Sequence, residues 1–329
     1  ECSLCLPVPS VSKAHAAIDC RGDRLSVRDL GSTNGTFVNQ RRVADCEPLH
    51  EGDLLQVATE VFRVQRHSPD AHLRTVANAS FALVESLCQF DRLMSDRAVT
   101  PHFQPVVRLA GRQVVGFEML ARSPLPGLQS PAAMFEAAER LGQEVALSVM
   151  LRREGVLAAQ QLPGRPLLLF NMHPKELGTM ELLSSLEEIR ELAPEHPIVI
   201  EVHEAAVTDE RIMLELRSVV HRLRMQLAYD DFGAGQARLD ELARVVPDCV
   251  KFDMRLVRDL HQATSERRLV TVRLVELVRD LGIVPLAEGI ECEEEALACR
   301  EIGFELGQGY HFGRPLSLEA ARTVAGRSV

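Results

Sequence analysis

The sequence predicts a multidomain chain: an N-terminal β-sandwich joined by a helix to an α/β barrel of the TIM-like (β/α)8 kind. Three observations carry this. A length of 329 residues exceeds what one compact core usually organises. The first sixty or so residues alternate apolar and polar in short runs split by turn residues. From about Thr100 onward, short apolar runs alternate with longer amphipathic segments, the rhythm of strand and helix in a parallel barrel.

In the first part, Leu25 to Val27, Thr36 to Val38, Leu54 to Val57 and Val61 to Val64 read as strands, separated by turns such as Arg21-Gly22-Asp23 and Glu51-Gly52-Asp53. Strands this short that bury one face suggest a small sandwich. Between Pro69 and about Arg97, Leu73, Val76, Phe81, Val84, Leu87, Phe90 and Leu93 recur at helical spacing. This predicts one amphipathic connecting helix whose stripe packs on a neighbour or on a second copy of the chain. The expected division is a sandwich over 1–66, a helical linker over 67–98 and a barrel over 99–325.

In the barrel region the apolar runs are Val114 to Phe117, Leu167 to Phe170, Ile198 to Ile200, Leu227 to Tyr229, Cys249 to Phe252 and Ile283 to Ala287. Pro131 to Leu141, Glu176 to Leu192 and Ser265 to Leu281 read as helices between them.

Composition narrows the function. Hydrophobic residues at 46% and charged residues at 26% describe an ordinary globular protein. A net charge of -10 argues against nonspecific binding of a nucleic acid polymer, which needs a cationic face. A small anionic substrate is compatible if metal ions supply positive charge locally. No apolar run approaches the ~20 residues of a membrane span, and no signal peptide is visible. Eight scattered cysteines fit a reducing cytoplasm; Cys2 and Cys5 form one CxxC without a second pair at zinc spacing.

Nearly every barrel run ends on a polar or charged residue: Glu118, Asn171, Glu201, Asp230 with Asp231, and Glu288, with Lys251 and Asp253 at the end of the Cys249 run. A carboxylate at a strand end commonly caps the next helix. Six or more such ends strain that explanation, because strand ends of a parallel barrel meet at one mouth. Crowded carboxylates stay ionised only with cations among them. A shell of oxygen donors favours Mg²⁺, Mn²⁺ or Ca²⁺ over zinc. Asp230-Asp231 could bridge two ions, the usual device for in-line phosphoester hydrolysis, with Lys251 positioning the attacking water.

The segment from Phe103 to Pro315 resembles the EAL phosphodiesterase domain. The residues that carry the resemblance are Gly116-Phe-Glu-Met-Leu-Ala-Arg122, Asn171-Met-His-Pro174, Glu201-Val-His-Glu204, Asp230-Asp-Phe-Gly-Ala-Gly235, Lys251-Phe-Asp253, Ala287-Glu-Gly-Ile-Glu291 and Gln308-Gly-Tyr-His-Phe-Gly-Arg-Pro315. The resemblance implies hydrolysis of the bacterial second messenger cyclic di-GMP to linear pGpG at a two-metal site holding Mg²⁺ or Mn²⁺. It further implies Glu118, Asn171, Glu201, Asp230 and Asp231 as metal ligands and Lys251 as the contact to the nucleophilic water. Glu288 and Gln308 complete the metal and water shell, Glu204 steadies the loop after Asp231, Glu291 supports, and Gln104 and Arg122 contact the ligand. A homodimer and a bacterial cytoplasmic location are also implied.

Departures from the family pattern are Met119 in the signature triplet, Ser123 where tryptophan is common, and His173 and His203 where small hydroxyl residues are usual. The loop Gln236-Ala-Arg238 lacks the usual aromatic and serine residues, which points to slow turnover. The alternative function is therefore a catalytically weak or inactive cyclic di-GMP receptor or signalling scaffold. Asp231-Phe-Gly233 also spells the kinase metal motif, but no glycine-rich phosphate loop or HRD loop accompanies it.

Ser12-Lys-Ala-His15, Asp29-Leu-Gly-Ser-Thr-Asn-Gly-Thr-Phe-Val-Asn39 and Gly52-Asp53 resemble a forkhead-associated (FHA) domain. The resemblance implies a phosphothreonine-protein partner, with Ser12 and Lys13 on the phosphate, Thr33 and Asn34 fixing loop and peptide, and His15 structural. The Gly-Arg that opens the phosphate site in that family would lie before Glu1, so the start of the domain is expected to be missing.

Overall fold

In the computed structural model, the structure describes residues 6, 10–21, 24–39, 41–58, 60–64, 89–206, 209–233 and 239–326. The chain divides into two compact units, Glu1–Cys88 and Gln89–Val329. Residues 89–95 are helical; most of the expected linker helix, the Cys2–Cys5 pair and the Gln236–Arg238 loop lie outside the described residues.

In the first unit, β1 (Ala16–Arg21), β2 (Arg24–Asp29) and β5 (Cys46–Leu49) form one antiparallel sheet. A second sheet runs β4 (Arg41–Arg42), β3 (Thr36–Val38), β6 (Leu54–Val57), β7 (Glu60–Arg63). Strand alternation sends Val27, Val38, Leu49, Leu55 and Val57 into one core, as in an FHA-like sandwich. The loop from β2 to β3 is tied by one carboxylate. Asp29 accepts from the amides of Gly31 and Ser32, both at 2.9 Å, and from the hydroxyls of Ser32 at 2.7 Å and Thr36 at 2.6 Å. Burial pushes the Asp29 carboxyl up, but these donors outweigh it and hold it well below the usual carboxylate range. His15, buried, accepts at Nδ1 from the Ser12 amide and donates from Nε2 to the Gly35 carbonyl, each at 3.0 Å.

The second unit is a closed barrel. In chain order its strands are β8 (Thr100–Arg108), β9 (Gln113–Arg122), β10 (Leu167–Met172), β11 (Ile198–His203), β12 (Gln226–Phe232), β13 (Cys249–Phe252), β14 (Val284–Ala287) and β15 (Leu306–Gln308), and β8 sits between β15 and β9. Neighbours from β9 to β15 pair in parallel. β8 departs from the expected all-parallel pattern, running antiparallel to both β9 and β15. The reason is the link to β9: four residues, 109–112, make a hairpin, whereas a parallel pair needs a crossover of a dozen or more.

Among the helices are α1 (Pro131–Leu141), α2 (Glu144–Ala159), α3 (Met180–Leu192), α4 (Glu210–Arg222), α5 (Leu239–Arg244), α6 (Met254–Val257), α7 (Ser265–Asp280), α8 (Glu293–Ile302) and α9 (Leu318–Ala325). α1 is bounded as its sequence dictates, with Ser130 capping its start, Pro131 in the first turn and Gly142 left-handed at its end. The helix expected from Glu176 instead begins at Met180. Pro174–Glu176 form a separate 3-10 turn, and Gly178 at φ 79° breaks the path before Thr179 caps the new start.

Behind β10 lies a fully buried ion pair. The Arg152 guanidinium of α2 contacts the Glu176 carboxylate, donates to Ser185 Oγ at 3.1 Å and reaches the Asn171 carbonyl at 3.4 Å; both charged side chains are at most 1% exposed. Removing one partner of such a pair strands the other charge in a low-dielectric interior. We expect Arg152→Met to cost about 3–5 kcal/mol and Arg152→Met/Glu176→Leu clearly less, both read by urea unfolding. Asp29→Ala should cost about 1–3 kcal/mol in the first unit. Because the folded-state pKa is depressed, the Asp29 contribution is complete above pH ~4 and disappears as pH falls further, which hydrogen exchange at the Ser32 and Gly35 amides would follow.

Candidate active site

The site follows from strand alternation. Inside the barrel, Val106, Leu169, Val199, Ala228, Cys249, Leu286 and Leu306 form one buried apolar layer. Side chains two residues apart on a strand share a face. The residues two steps further along the parallel strands are Asn171, Glu201, Asp230, Lys251, Glu288 and Gln308. On β8, which runs the other way, the equivalent residue is two steps back, Gln104, paired with Glu118. Glu118 stands two residues beyond Gly116, where a Cβ would come within 2.4 Å of the Leu167 carbonyl oxygen. Each strand thus places one polar residue directly above the apolar layer.

Lys251 occupies the centre of this ring. Its ammonium lies 2.8 Å from Glu201 Oε1, 2.9 Å from Asp230 Oδ1, 2.9 Å from Glu288 Oε1 and 3.8 Å from Glu118 Oε2. Only 1% of its side chain is exposed, so the ammonium itself is cut off from solvent, whereas Asp230 and Glu288 keep 15% and 18% of their side chains exposed. Burial pulls the Lys251 ammonium down, but Asp230, Glu118, Glu201 and Glu288 outweigh it and hold its pKa well above the usual lysine value. The carboxylates respond in the opposite sense. Burial, opposed by Lys251 but reinforced by Glu118 and Asp230, pushes Glu201 well up; burial, opposed by Lys251, brings Glu288 to about 8. Asp231 is raised by burial and by the adjacent Asp230.

Glu118 is fixed from two sides, by the Asn171 amide at 2.8 Å and the Gln308 amide at 2.6 Å. Asn171 thereby keeps its side-chain oxygen for another partner. Glu201 Oε2 and Gln308 Oε1 are buried without a hydrogen-bond donor, and the buried Glu201 Oε1 and Asp230 Oδ1 meet only the Lys251 ammonium. Asp230, Asp231 and Glu288 each present a carboxylate oxygen within 4.8 Å of the other two. One lysine cannot neutralise four carboxylates and Asp231, and the unfilled acceptors of the ring are all oxygens. That donor set fits hard divalent cations.

The remaining expected residues lie around this centre. Glu204, 7% exposed, accepts from the Gly233 amide at 3.0 Å and so anchors the chain just past Asp231. Asp231 itself has φ 58°, and His203 Nε2 lies 3.2 Å from its carboxylate. Gln104, 9% exposed, donates to the Gly313 carbonyl at 3.4 Å. Arg122, at the end of β9, donates to the Ala121 carbonyl. Glu291 is exposed and pairs with Arg258. His173 caps the 3-10 turn and stacks on Phe135, with ring centroids 5.0 Å apart. Sequence reasoning misses Arg152, which braces the Asn171 carbonyl; the one hint is an arginine set among Leu147, Met150, Leu151 and Val156, the apolar residues buried along the same helix.

In the first unit, Ser12 Oγ accepts from the Thr33 amide at 3.3 Å, and the Asn34 side chain donates to the Ser10 carbonyl at 2.7 Å. These contacts bring Ser12, Thr33 and Asn34 together where the loop before β1 meets the loop after β2, while Lys13 is exposed.

The EAL domain model matches residues 88–315 and the FHA domain model residues 1–58. Cyclic di-GMP phosphodiesterase RocR of Pseudomonas aeruginosa is 30% identical over 226 residues, covering 65% of this chain and 57% of the relative. The solved structure of Klebsiella pneumoniae BlrP1 in complex with manganese and cyclic di-GMP is 33% identical with a TM-score of 0.60, covering 67% of this chain and 56% of that one. An EAL domain protein from Listeria monocytogenes has the same fold, with a TM-score of 0.61 at 24% identity over 76% of this chain and 98% of that one. The chain spans less than two thirds of the length of the curated relatives it matches first. With the family model matched across residues 88–315, well over half its length, the chain belongs to the EAL domain family.

Proposed function

We propose that this chain is a metal-dependent phosphodiesterase that opens cyclic di-GMP to linear pGpG, and that its FHA module ties this activity to a phosphothreonine-containing protein. The observation that carries the reading is the ring of eight polar residues, one from each barrel strand, whose crowded carboxylates have a single lysine among them and leave buried oxygens without another donor.

Glu118, Asn171, Glu201, Asp230 and Asp231 would hold two Mg²⁺ or Mn²⁺ ions. When bound, such ions polarise a phosphoryl oxygen and lower the pKa of a coordinated water. Lys251, its ammonium held among Glu201, Asp230 and Glu288, would contact and orient the attacking water. Glu288 contacts the same ammonium and completes the shell with Gln308, which also locks the Glu118 carboxylate. Arg122 offers a forked cation to a phosphate oxygen, and Gln104 borders the ring from β8. Glu204 holds the segment after Asp231 in place. Ser12, Lys13, Thr33 and Asn34 would form the phosphopeptide contact, and a homodimer in the bacterial cytoplasm completes the reading. Among the described residues no helix is long and apolar enough to cross a membrane.

With Mg²⁺ or Mn²⁺, purified protein should release pGpG, and Glu118→Ala or Asp230→Asn should lower the rate by about a thousandfold or more, since metal-borne charge stabilisation contributes several kcal/mol. Wild type that binds cyclic di-GMP and yields no pGpG would instead make it a receptor. Chelation should lower the thermal midpoint of the second unit. Lys251→Met should deepen that loss and restored Mg²⁺ should reverse it, because the ions then carry all the neutralisation; a midpoint indifferent to metal in both proteins contradicts the site.

A further inference from the structure

A second cluster of ligating side chains lies outside the acidic ring. A ring nitrogen of His261, the thiol of Cys292 and a carboxylate oxygen of Glu295 all lie within 4.8 Å of one another. They come from different segments. His261 sits in the 3-10 turn Leu260–Gln262, Cys292 ends the loop after β14, and Glu295 is in the first turn of α8. We propose that these three residues form a binding site for a borderline divalent transition metal, Zn²⁺ by donor chemistry, separate from the oxygen-rich centre.

Glu295 is preset for this. It is 3% exposed, and backbone amides hold both of its oxygens: Asp259 N donates to Oε1 and Glu291 N to Oε2, each at 2.8 Å. A carboxylate oxygen so held retains a second lone pair for a cation. His261 Nδ1 is buried with no hydrogen-bond partner, while Nε2 lies 2.8 Å from the Gln262 side-chain amide. With that amide turned to present its oxygen, Nε2–H donates to it and the Nδ1 lone pair is available to a metal. Cys292 is a free thiol and supplies the soft ligand that Mg²⁺ avoids and Zn²⁺ prefers. The positive end of α8 opposes a cation here, and Glu293, Glu294 and Glu295 in its first turn offset it.

Three protein ligands leave a fourth position for water, the open form of a tetrahedral site. Its position gives it a consequence. The turn carrying His261 follows β13, which bears Lys251, and Cys292 lies four residues past Glu288. A metal here would clamp together two of the segments that leave the acidic ring.

The test is Co²⁺ titration of the full chain in a Cys2→Ser/Cys5→Ser background with excess Mg²⁺ filling the oxygen centre, read by the thiolate-to-cobalt charge-transfer band in the near ultraviolet. We expect a band that saturates, is bleached by Zn²⁺ and vanishes in Cys292→Ser; in His261→Ala, Co²⁺ affinity should fall at least about tenfold. Thermal melts verify that each variant is folded. No band in the parent, a band that survives Cys292→Ser, or unchanged affinity in His261→Ala overturns the proposal. Because the readout is a cobalt–thiolate transition, its failure is independent of whether the acidic ring hydrolyses cyclic di-GMP.

Discussion

The two-residue period of the β-strand is the constraint on which everything else in the second unit rests. Closing the barrel forces one set of alternate side chains inward. The apolar layer of Val106, Leu169, Val199, Ala228, Cys249, Leu286 and Leu306 fills the interior, and the next inward position on each strand has to face the mouth. Register then does the assembling: Asn171 pairs beside Glu201, and Gln104 beside Glu118. A one-residue slip in any strand would turn its polar residue outward into the helix layer. The chemistry of the mouth is therefore as well determined as the hydrophobic packing beneath it.

That packing creates an electrostatic problem which points to function. Four carboxylates lie within 4 Å of the Lys251 ammonium, which has almost no solvent access. Burial and mutual repulsion push Glu201 and Glu288 towards protonation, while the same fields lock the lysine in its charged form. Stability alone would not select such a group, since well-packed apolar side chains do as well in a barrel interior. On the function proposed here the missing charge arrives with divalent ions, and the structure builds support around the ring. Gln308 and Asn171 hold Glu118, Glu204 holds the Gly233 amide, and the buried Arg152–Glu176 pair holds the Asn171 carbonyl.

Much of this is legible in the sequence for a physical reason. A buried parallel strand is a short apolar run, and a run that ends on Glu, Asn, Asp or Lys marks where the strand leaves the core. β10 and β11 bury both faces along their apolar stretches, so they read as the continuous runs Leu167 to Phe170 and Ile198 to Ile200, and β13, buried throughout, is interrupted only by Lys251. The features that stay hidden depend on contacts distant in sequence. Pro101 and Pro105 interrupt the pattern of β8, and its antiparallel direction comes from a short hairpin that the run pattern does not reveal. Arg152 stands beside Arg153 and Glu154 in α2, and only the fold brings Glu176 and the Asn171 carbonyl to it. The start expected for α3 at Glu176 fails at Gly178, whose left-handed backbone is a local event that helical periodicity does not register.

Locating Mn²⁺ in crystals of the protein through its anomalous scattering is the most direct test of the acidic ring as a metal centre. The expected result is manganese bounded by Glu118, Asn171, Glu201, Asp230 and Asp231, with Lys251 still between Glu201 and Glu288. Crystals grown in saturating Mn²⁺ that show no manganese among those side chains, with Lys251 alone filling the ring, would contradict it.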